Sequence, residues 1–403
     1  MRVLISSVSA YGHLQPLIPL AKALSDAGHE VVIAVGSDMC PRTEAAGFTA
    51  FNAGLSIEAA FARLAERFPD QSYNRLAPSE ILDWYLPHLF GEVMAPAMLT
   101  DLEPLMQSWQ PNVILHDTWE LAGPIAAASA GIASISQTLG IRFNDRLIDA
   151  IATAVAPFWR QLGLEPDPTA GLYRHLCLDI TPLSFQPYES PHHRAVIHPL
   201  RPIPQPPIPG ETLPKWIKHR RQVPLVYMTL GTNPGTNSNI SMFRSVIDGL
   251  SNLDVDVLIT IGFDKDTTSI GPLASNIHVE HYLPQSLLLP HCSAVICHGG
   301  AGTTLSSLAQ GLPLLILPQG GDQYIIGDLV LATGAGLRLI PADVTPTTIR
   351  TSILTLLNQP SYRAQAHRLQ CEIATMPVPE IAVHLIEQIT AIPQFPKNLP
   401  TKP

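Results

Sequence analysis

The sequence predicts an α/β protein in two halves, each a parallel sheet wrapped by helices. Three observations carry that prediction. Apolar runs of strand length alternate with helix-period runs from the first residues onward. A proline-dense break interrupts the alternation near the middle of the chain, and the same alternation restarts beyond it. Strand, crossover helix and strand in succession imply parallel pairing, because antiparallel neighbours need only a short turn.

Arg2 to Ser7 reads as a strand, Ala10 to Gln15 as a loop, Pro16 to Ala27 as a helix stopped by Gly28, and Glu30 to Val35 as a second strand. Pro111 to Asp117 (PNVILHD) is a further strand. An alanine-rich helix from Leu121 to Ala130, ended by Gly131, and a strand from Ala133 to Ser136 follow it. From His198 to Pro214 seven of seventeen residues are proline, which excludes a helix or a central strand. Strands then recur at Val223 to Gly231, Asp256 to Gly262, NIHVEHY and SAVICHGG, with a helix from Ile240 to Leu250. Helices close the chain at Ser361 to Ala374 and Glu380 to Ile392, before a polar, proline-broken tail. The expected division is an N-terminal domain over 1–205, a linker over 206–222 and a C-terminal domain over 223–378. The closing segment, 379–403, is expected to pack its helix back on the N-terminal domain.

Composition narrows the function. At 403 residues with 46% hydrophobic and 14% charged residues, the chain is long enough for two sizeable cores. A net charge of -9 and no basic stripe argue against nucleic-acid binding. Five cysteines with no CxxC pair argue against a disulfide framework or a zinc site and for a reducing, cytoplasmic setting, the thiols serving as buried small hydrophobes. The opening MRVLISSVSAYGH has an apolar run of only about eight residues leading into a helix pattern, so it reads as a strand and not a leader. No run of 18 apolar residues occurs, so no membrane span is expected.

The stretch CHGGAGTTLSSLAQGLPLLILPQGGDQ, Cys297 to Gln323, carries the chemistry. A buried strand runs into glycines and then a helix beginning near Thr303, which puts unpaired N–H groups and the positive end of a helix dipole at one loop. His298, Gly299, Gly300, Gly302, Thr303 and Thr304 suit a diphosphate there. The run is neither of the two familiar phosphate loops. Leu305 stands where a dinucleotide fingerprint needs glycine or alanine, and no GxxxxGK[ST] occurs. After the strand from Leu312 to Leu317, Asp322 and Gln323 supply a carboxylate and a carboxamide for hydroxyl recognition. Diphosphate on one loop and polyol on the next describe a sugar nucleotide.

With YLPQ upstream and GHLQPLIPLAKAL near the start, this stretch resembles the inverting sugar-nucleotide glycosyltransferases of the natural-product type, nearest to the bacterial macrolide branch. The resemblance implies the GT-B fold, two Rossmann-like domains with parallel sheets facing across a cleft, with donor on the C-terminal domain, acceptor on the N-terminal one, and no metal or cofactor. Position by position it implies diphosphate contacts from Gly231, Thr232, His298, Gly300, Gly302 and Thr303, base contacts from Tyr282 and Gln285, and sugar contacts from Asp322 and Gln323. Ser306 stands where UDP-glucose users often carry a ribose-binding Glu, which leans toward dTDP-sugars while leaving UDP-sugars open.

His13, between the first strand and first helix, is the expected general base for an acceptor hydroxyl. Asp117, ending its strand at the same sheet edge, is its orienting partner. His116 next to it points to the other face. Asp254 and Asp256 have DxD spacing but read as a solvated turn, and His192-His193 is not expected to bind metal. Phe61, Phe68, Tyr73, Trp84, Tyr85, Phe90, Phe143, Phe158 and Trp159 cluster where relatives build the acceptor pocket; Trp84, Tyr85, Phe90 and Phe143 are the candidates for a lipophilic acceptor. The expected activity is hexosyl transfer with inversion in natural-product biosynthesis, by a monomer or homodimer, with peripheral membrane contact left open. The alternatives are a sugar-nucleotide epimerase and a non-catalytic helper on the same fold.

Overall fold

Seven strands line up in parallel in the first half, the central ones buried and so reading as apolar runs, the edge strands at either end exposed or half-buried. They are β1 Arg2–Ser6, β2 Glu30–Val35, β3 Thr49–Asn52, β4 Val113–Asp117, β5 Ala133–Gln137, β6 Leu176–Asp179 and β7 Ile197–Pro199. Their order in the sheet is β3-β2-β1-β4-β5-β6-β7. The second sheet holds β8 Leu225–Thr229, β9 Asp256–Thr260, β10 Ile277–Glu280, β11 Ala294–Cys297, β12 Leu314–Ile316 and β13 Gly336–Arg338 in the order β10-β9-β8-β11-β12-β13, again all parallel. The computed structural model describes residues 1–71, 76–187, 196–204, 207, 210–231, 239–262 and 270–391.

Contacts divide the chain into two compact units. One contains Met1–Ile180, β7 and the helix Pro379–Ala391; the other contains Arg201–Met376 together with Thr181–Pro187. The division falls at Leu200/Arg201, ahead of the expected linker, whose span includes a short helix, Lys215–His219. Helix Pro379–Ala391 packs on helix Ile18–Asp26 of the first unit, where His29 Nε2 lies 3.0 Å from Glu387 Oε1. Among the described residues no helix is long and apolar enough to cross a membrane.

Two expectations are corrected here. The segment from Tyr11 is helical instead of a loop: Tyr11–Leu14 is one turn, a tighter turn spans Gln15–Leu17, and Ile18–Asp26 continues it. Pro16 sits in a first turn, where its missing N–H is not needed, so it does not mark the helix start. The cysteines are not uniformly buried either. Cys177, Cys292 and Cys297 are buried, Cys40 is partly exposed, and Cys371 is exposed on helix Pro360–Thr375.

The first unit's main core gathers Val8, Leu89, Phe90, Ile125, Ile151, Val155 and Trp159. Trp159 is 1% exposed, a core side chain and not part of an open pocket. Its truncation in Trp159→Ala is expected to cost about 3–5 kcal/mol, read as a lowered urea midpoint; an unchanged midpoint would remove Trp159 from the core of this unit.

Candidate active site

In a parallel sheet, a crevice opens at the carboxyl ends of the strands where the strand order reverses. That point lies between β1 and β4 in the first unit and between β8 and β11 in the second. Asp117 ends β4 at the first of these points, and Gly231 and His298 follow β8 and β11 at the second.

At the first, Asp117 ends β4 and is fully buried. Its Oδ1 lies 3.1 Å from His13 Nδ1 and accepts from the backbone N–H groups of Trp119 at 2.8 Å and Glu120 at 3.1 Å. Its Oδ2 accepts from the Val8 N–H at 3.0 Å and the Ser7 hydroxyl at 3.3 Å. Burial pushes the carboxyl up, but the His13 charge and hydrogen bond and the N–H groups of Val8 and Trp119 outweigh it, so Asp117 sits below the usual carboxylate range. With Nδ1 turned to Asp117, the Nε2 edge of His13 is left for a substrate, and the ring is 18% exposed. His116 is fully buried, its Nδ1 donating to the Asp117 carbonyl at 2.9 Å, and burial lowers its pKa, so it is a neutral structural residue.

His13 lies against an aromatic wall. Phe90 is 5.8 Å from the His13 ring, Trp119 is 4.7 Å from Phe90, and Phe143 is 4.5 Å from Trp119, centroid to centroid. Phe90 belongs to a π-helical stretch, Ile81–Tyr85 and Pro87–Met94, a rare helix form that is frequent at functional sites. Trp84 stacks on His88 at 4.5 Å in the same stretch. Tyr85 and Phe90 are each 6% exposed; Tyr85 faces Phe61 and Phe90 faces His13. Tyr73 and His192-His193 lie outside the described residues. Trp119 is absent from the expected set; the clue is its place two residues after Asp117 on the same crossover turn.

At the second point, β11 ends at Cys297, Gly299 takes φ +91°, and Gly300 caps the helix Ala301–Leu308. The His298 ring is walled by two glycines. A Cβ on Gly300 would lie 2.5 Å from its Nε2, and one on Gly231, where φ is +84°, would lie 2.8 Å from its Cε1. Burial pushes the His298 imidazole down to about 4, so it is a neutral donor at neutral pH, and its Nδ1 has no partner among the described residues. Gly302 is exposed and a Cβ there would meet nothing, so packing does not require this glycine. The Thr303 hydroxyl accepts from Gln285 Nε2 at 3.0 Å, which joins two residues expected to meet different parts of the donor.

Gln323 packs its backbone against Gly299, and its Oε1 accepts from the Gln319 N–H at 2.9 Å, bracing the loop that carries Asp322. Asp322 is half-buried at the start of helix Gln323–Ala332, and Tyr282 is half-buried just ahead of Gln285. Thr232 lies outside the described residues. The DxD pair is not simply a solvated turn. Arg221 bonds Asp254 at 3.3 Å and Asp256 at 3.1 Å, and Asp256 is buried, so this pair is a structural brace. Among the described residues no group of three or more His, Cys, Asp and Glu gathers as a metal site.

Comparison with known proteins agrees with this layout. The N-terminal domain of the erythromycin biosynthesis protein CIII-like family matches residues 22–231, and its C-terminal domain matches residues 244–389. An aclacinomycin-T 2-deoxy-L-fucose transferase of Streptomyces galilaeus is 29% identical over 97% of this chain and 96% of its own. A 10-deoxymethynolide desosaminyltransferase of Streptomyces venezuelae is 28% identical over 97% of each chain. The solved structure of the spinosyn rhamnosyltransferase SpnG superposes with a TM-score of 0.80 at 25% identity, covering 96% of this chain and all of SpnG. The chain belongs to the erythromycin biosynthesis protein CIII-like family and is a glycosyltransferase built from two Rossmann-like α/β units.

Proposed function

We propose that the protein moves a sugar from a nucleoside diphosphate to a hydroxyl of a lipophilic small molecule, inverting the anomeric carbon, with His13 as base. The observation that carries this reading is the contact of His13 Nδ1 with a buried, ionised Asp117 at the sheet's switch point. Asp117 holds the proton on Nδ1, which leaves the Nε2 lone pair to take the acceptor's hydroxyl proton. The acceptor oxygen then bonds to the anomeric carbon as the bond from that carbon to the diphosphate oxygen breaks, and the diphosphate leaves with the electron pair. Its growing charge meets the N–H groups at the start of helix Ala301–Leu308, the Thr303 hydroxyl and the neutral His298 ring.

Gly231, Thr232, Gly300 and Gly302 complete the proposed diphosphate cradle, Tyr282 and Gln285 take the base, and Asp322 and Gln323 take the sugar. No metal or cofactor is part of the proposal. Phe90, Trp119 and Phe143, with Trp84 beyond them, form an apolar wall beside the base that suits a lipophilic acceptor. Ser306 favours a thymidine diphosphate sugar. The family supports that choice, since SpnG has been solved complexed with thymidine diphosphate and with spinosyn aglycone.

Two measurements test the two halves of the proposal separately. His13→Ala is expected to lower sugar transfer by about 10²- to 10⁴-fold, and Asp117→Asn to follow it, with thymidine diphosphate affinity by calorimetry unchanged. Transfer at the wild-type rate in His13→Ala would sink the base. Gly300→Ala drives a methyl into the His298 ring and is expected to weaken thymidine diphosphate binding about ten-fold, ~1.4 kcal/mol. Wild-type affinity in that variant would detach the glycine-walled loop from the nucleotide.

A further inference from the structure

Behind the His13–Asp117 pair lies a second buried carboxylate that the mechanism above does not use. Glu120 is 3% exposed on the turn between β4 and helix Ala122–Ala130. Its Oε1 accepts from the Ala122 N–H at 2.9 Å, and its Oε2 accepts from the Gly123 N–H at 2.9 Å and from the Ser6 hydroxyl of β1 at 2.5 Å. All of these partners are neutral donors, two of them fixed in the backbone. The backbone N–H of the same residue donates to Asp117 Oδ1, the oxygen that faces His13. Gly123 makes room for this arrangement: a Cβ there would lie 2.7 Å from Glu120 Oε2, 2.7 Å from Ser6 Oγ and 3.1 Å from His116 Cβ.

We infer that Glu120 is a positioning residue for the base, whose ionised carboxylate ties the Asp117–Glu120 turn to β1 and to the following helix and so keeps Asp117 Oδ1 on His13. The inference rests on the proposed role of His13. Geometry makes the ionised form the fitting one. A proton on the carboxyl finds an acceptor only in Ser6 Oγ, because the Ala122 and Gly123 N–H groups only donate; Ser6 then turns from donor to acceptor and its charge-assisted bond to Oε2, the tie to β1, is lost. The groups facing Glu120 are Ser6 on β1, His116 and Asp117 on β4, and the N–H groups of Ala122 and Gly123 on the helix. Burial pushes the carboxyl up to about 7, with Asp117 adding to that push and Ser6 and the two N–H groups opposing it. His116 stays neutral. The turn is therefore held tight above neutral pH and loosened below it.

Glu120→Gln cannot ionise, so at every pH it resembles the protonated wild type. The expected result is a kcat about ten-fold below wild type at pH 8.5, with the KM for the donor unchanged and the gap closing toward pH 6. A merely structural role gives a ratio of wild type to variant that does not depend on pH. Glu120→Ala, which removes the carboxylate and with it the tie to β1, is measured alongside and is expected to give the same converging ratio even if Glu120→Gln is poorly folded. A ratio that stays constant across pH in a folded variant, or an unchanged kcat with only a lowered melting temperature, overturns the inference. His13→Ala in the same assay separates the two levels: if it still transfers sugar, the assignment of the base has failed; if it is dead while the ratio is flat, only the role of Glu120 has.

Discussion

The cost of burying the Asp117 charge organises the first unit's site. An isolated carboxylate inside a protein is unfavourable by several kcal/mol, and it persists only where its oxygens are satisfied. Here five groups satisfy it, and they come from three places in the chain: Ser7 and Val8 after β1, His13 on the following turn, and Trp119 and Glu120 on the crossover. The parallel register of β1 on β4, with Ser6 opposite His116, carries Ser7 and Val8 up to the carboxylate. His13 is 104 residues away in sequence, so the pair exists only once β1 and β4 are joined. The same hydrogen bonds that make the burial tolerable also aim Oδ1 at the imidazole.

The second unit meets the opposite requirement. The proposed diphosphate site would gain from positive potential, yet its histidine, His298, is neutral because burial removes the charged form. The donors offered are a ring N–H, the Thr303 hydroxyl and the first N–H groups of a helix, all of which hold direction without carrying full charge. Fixed dipoles of this kind stabilise a leaving group as its charge grows and need little rearrangement when it does so. The two walls of the ring come from β8 and β11, the neighbours at which the strand order reverses, so the packing of that ring depends on the sheet topology itself.

Much of this was legible in the sequence, for a physical reason. Parallel strands buried on both faces must be apolar along their length, and glycine is favoured where a helix ends in a left-handed residue, as Gly131 does at φ +67°. Strands, crossovers, the glycine loop and the positions of His13 and Asp117 followed from such local rules. The rest depends on distant partners. Pro16 looked like a helix start because proline is accepted there, although the helical path begins at Tyr11. The π-helical stretch around Phe90 has no local code, and neither does the partner that an aromatic side chain finds: Tyr85 meets Phe61 while Phe90, five residues on and equally buried, meets His13. Trp119 was missed because its ring partners, Phe90 and Phe143, are far from it along the chain. Glu120 was missed because a single acidic residue on a turn reads as solvated until Ser6 is found beside it.

Trp119 makes the apolar wall and the proposed base, His13, parts of one assembly. Its backbone N–H holds Asp117 Oδ1, while its ring packs between Phe90 and Phe143, and Phe90 in turn packs against His13. Any acceptor that presses on these rings therefore presses on the turn that orients the carboxylate and on the imidazole itself. In an interior packed to crystal-like density such displacements do not dissipate within one side chain. In the proposed mechanism, acceptor selection and base strength are properties of the same few contacts, so a substitution in the wall would act on turnover as well as on affinity. The arrangement also explains why the wall is aromatic. Rigid rings with two rotatable bonds hold their place against both a ligand and a catalytic group at a lower entropic cost than flexible aliphatic chains.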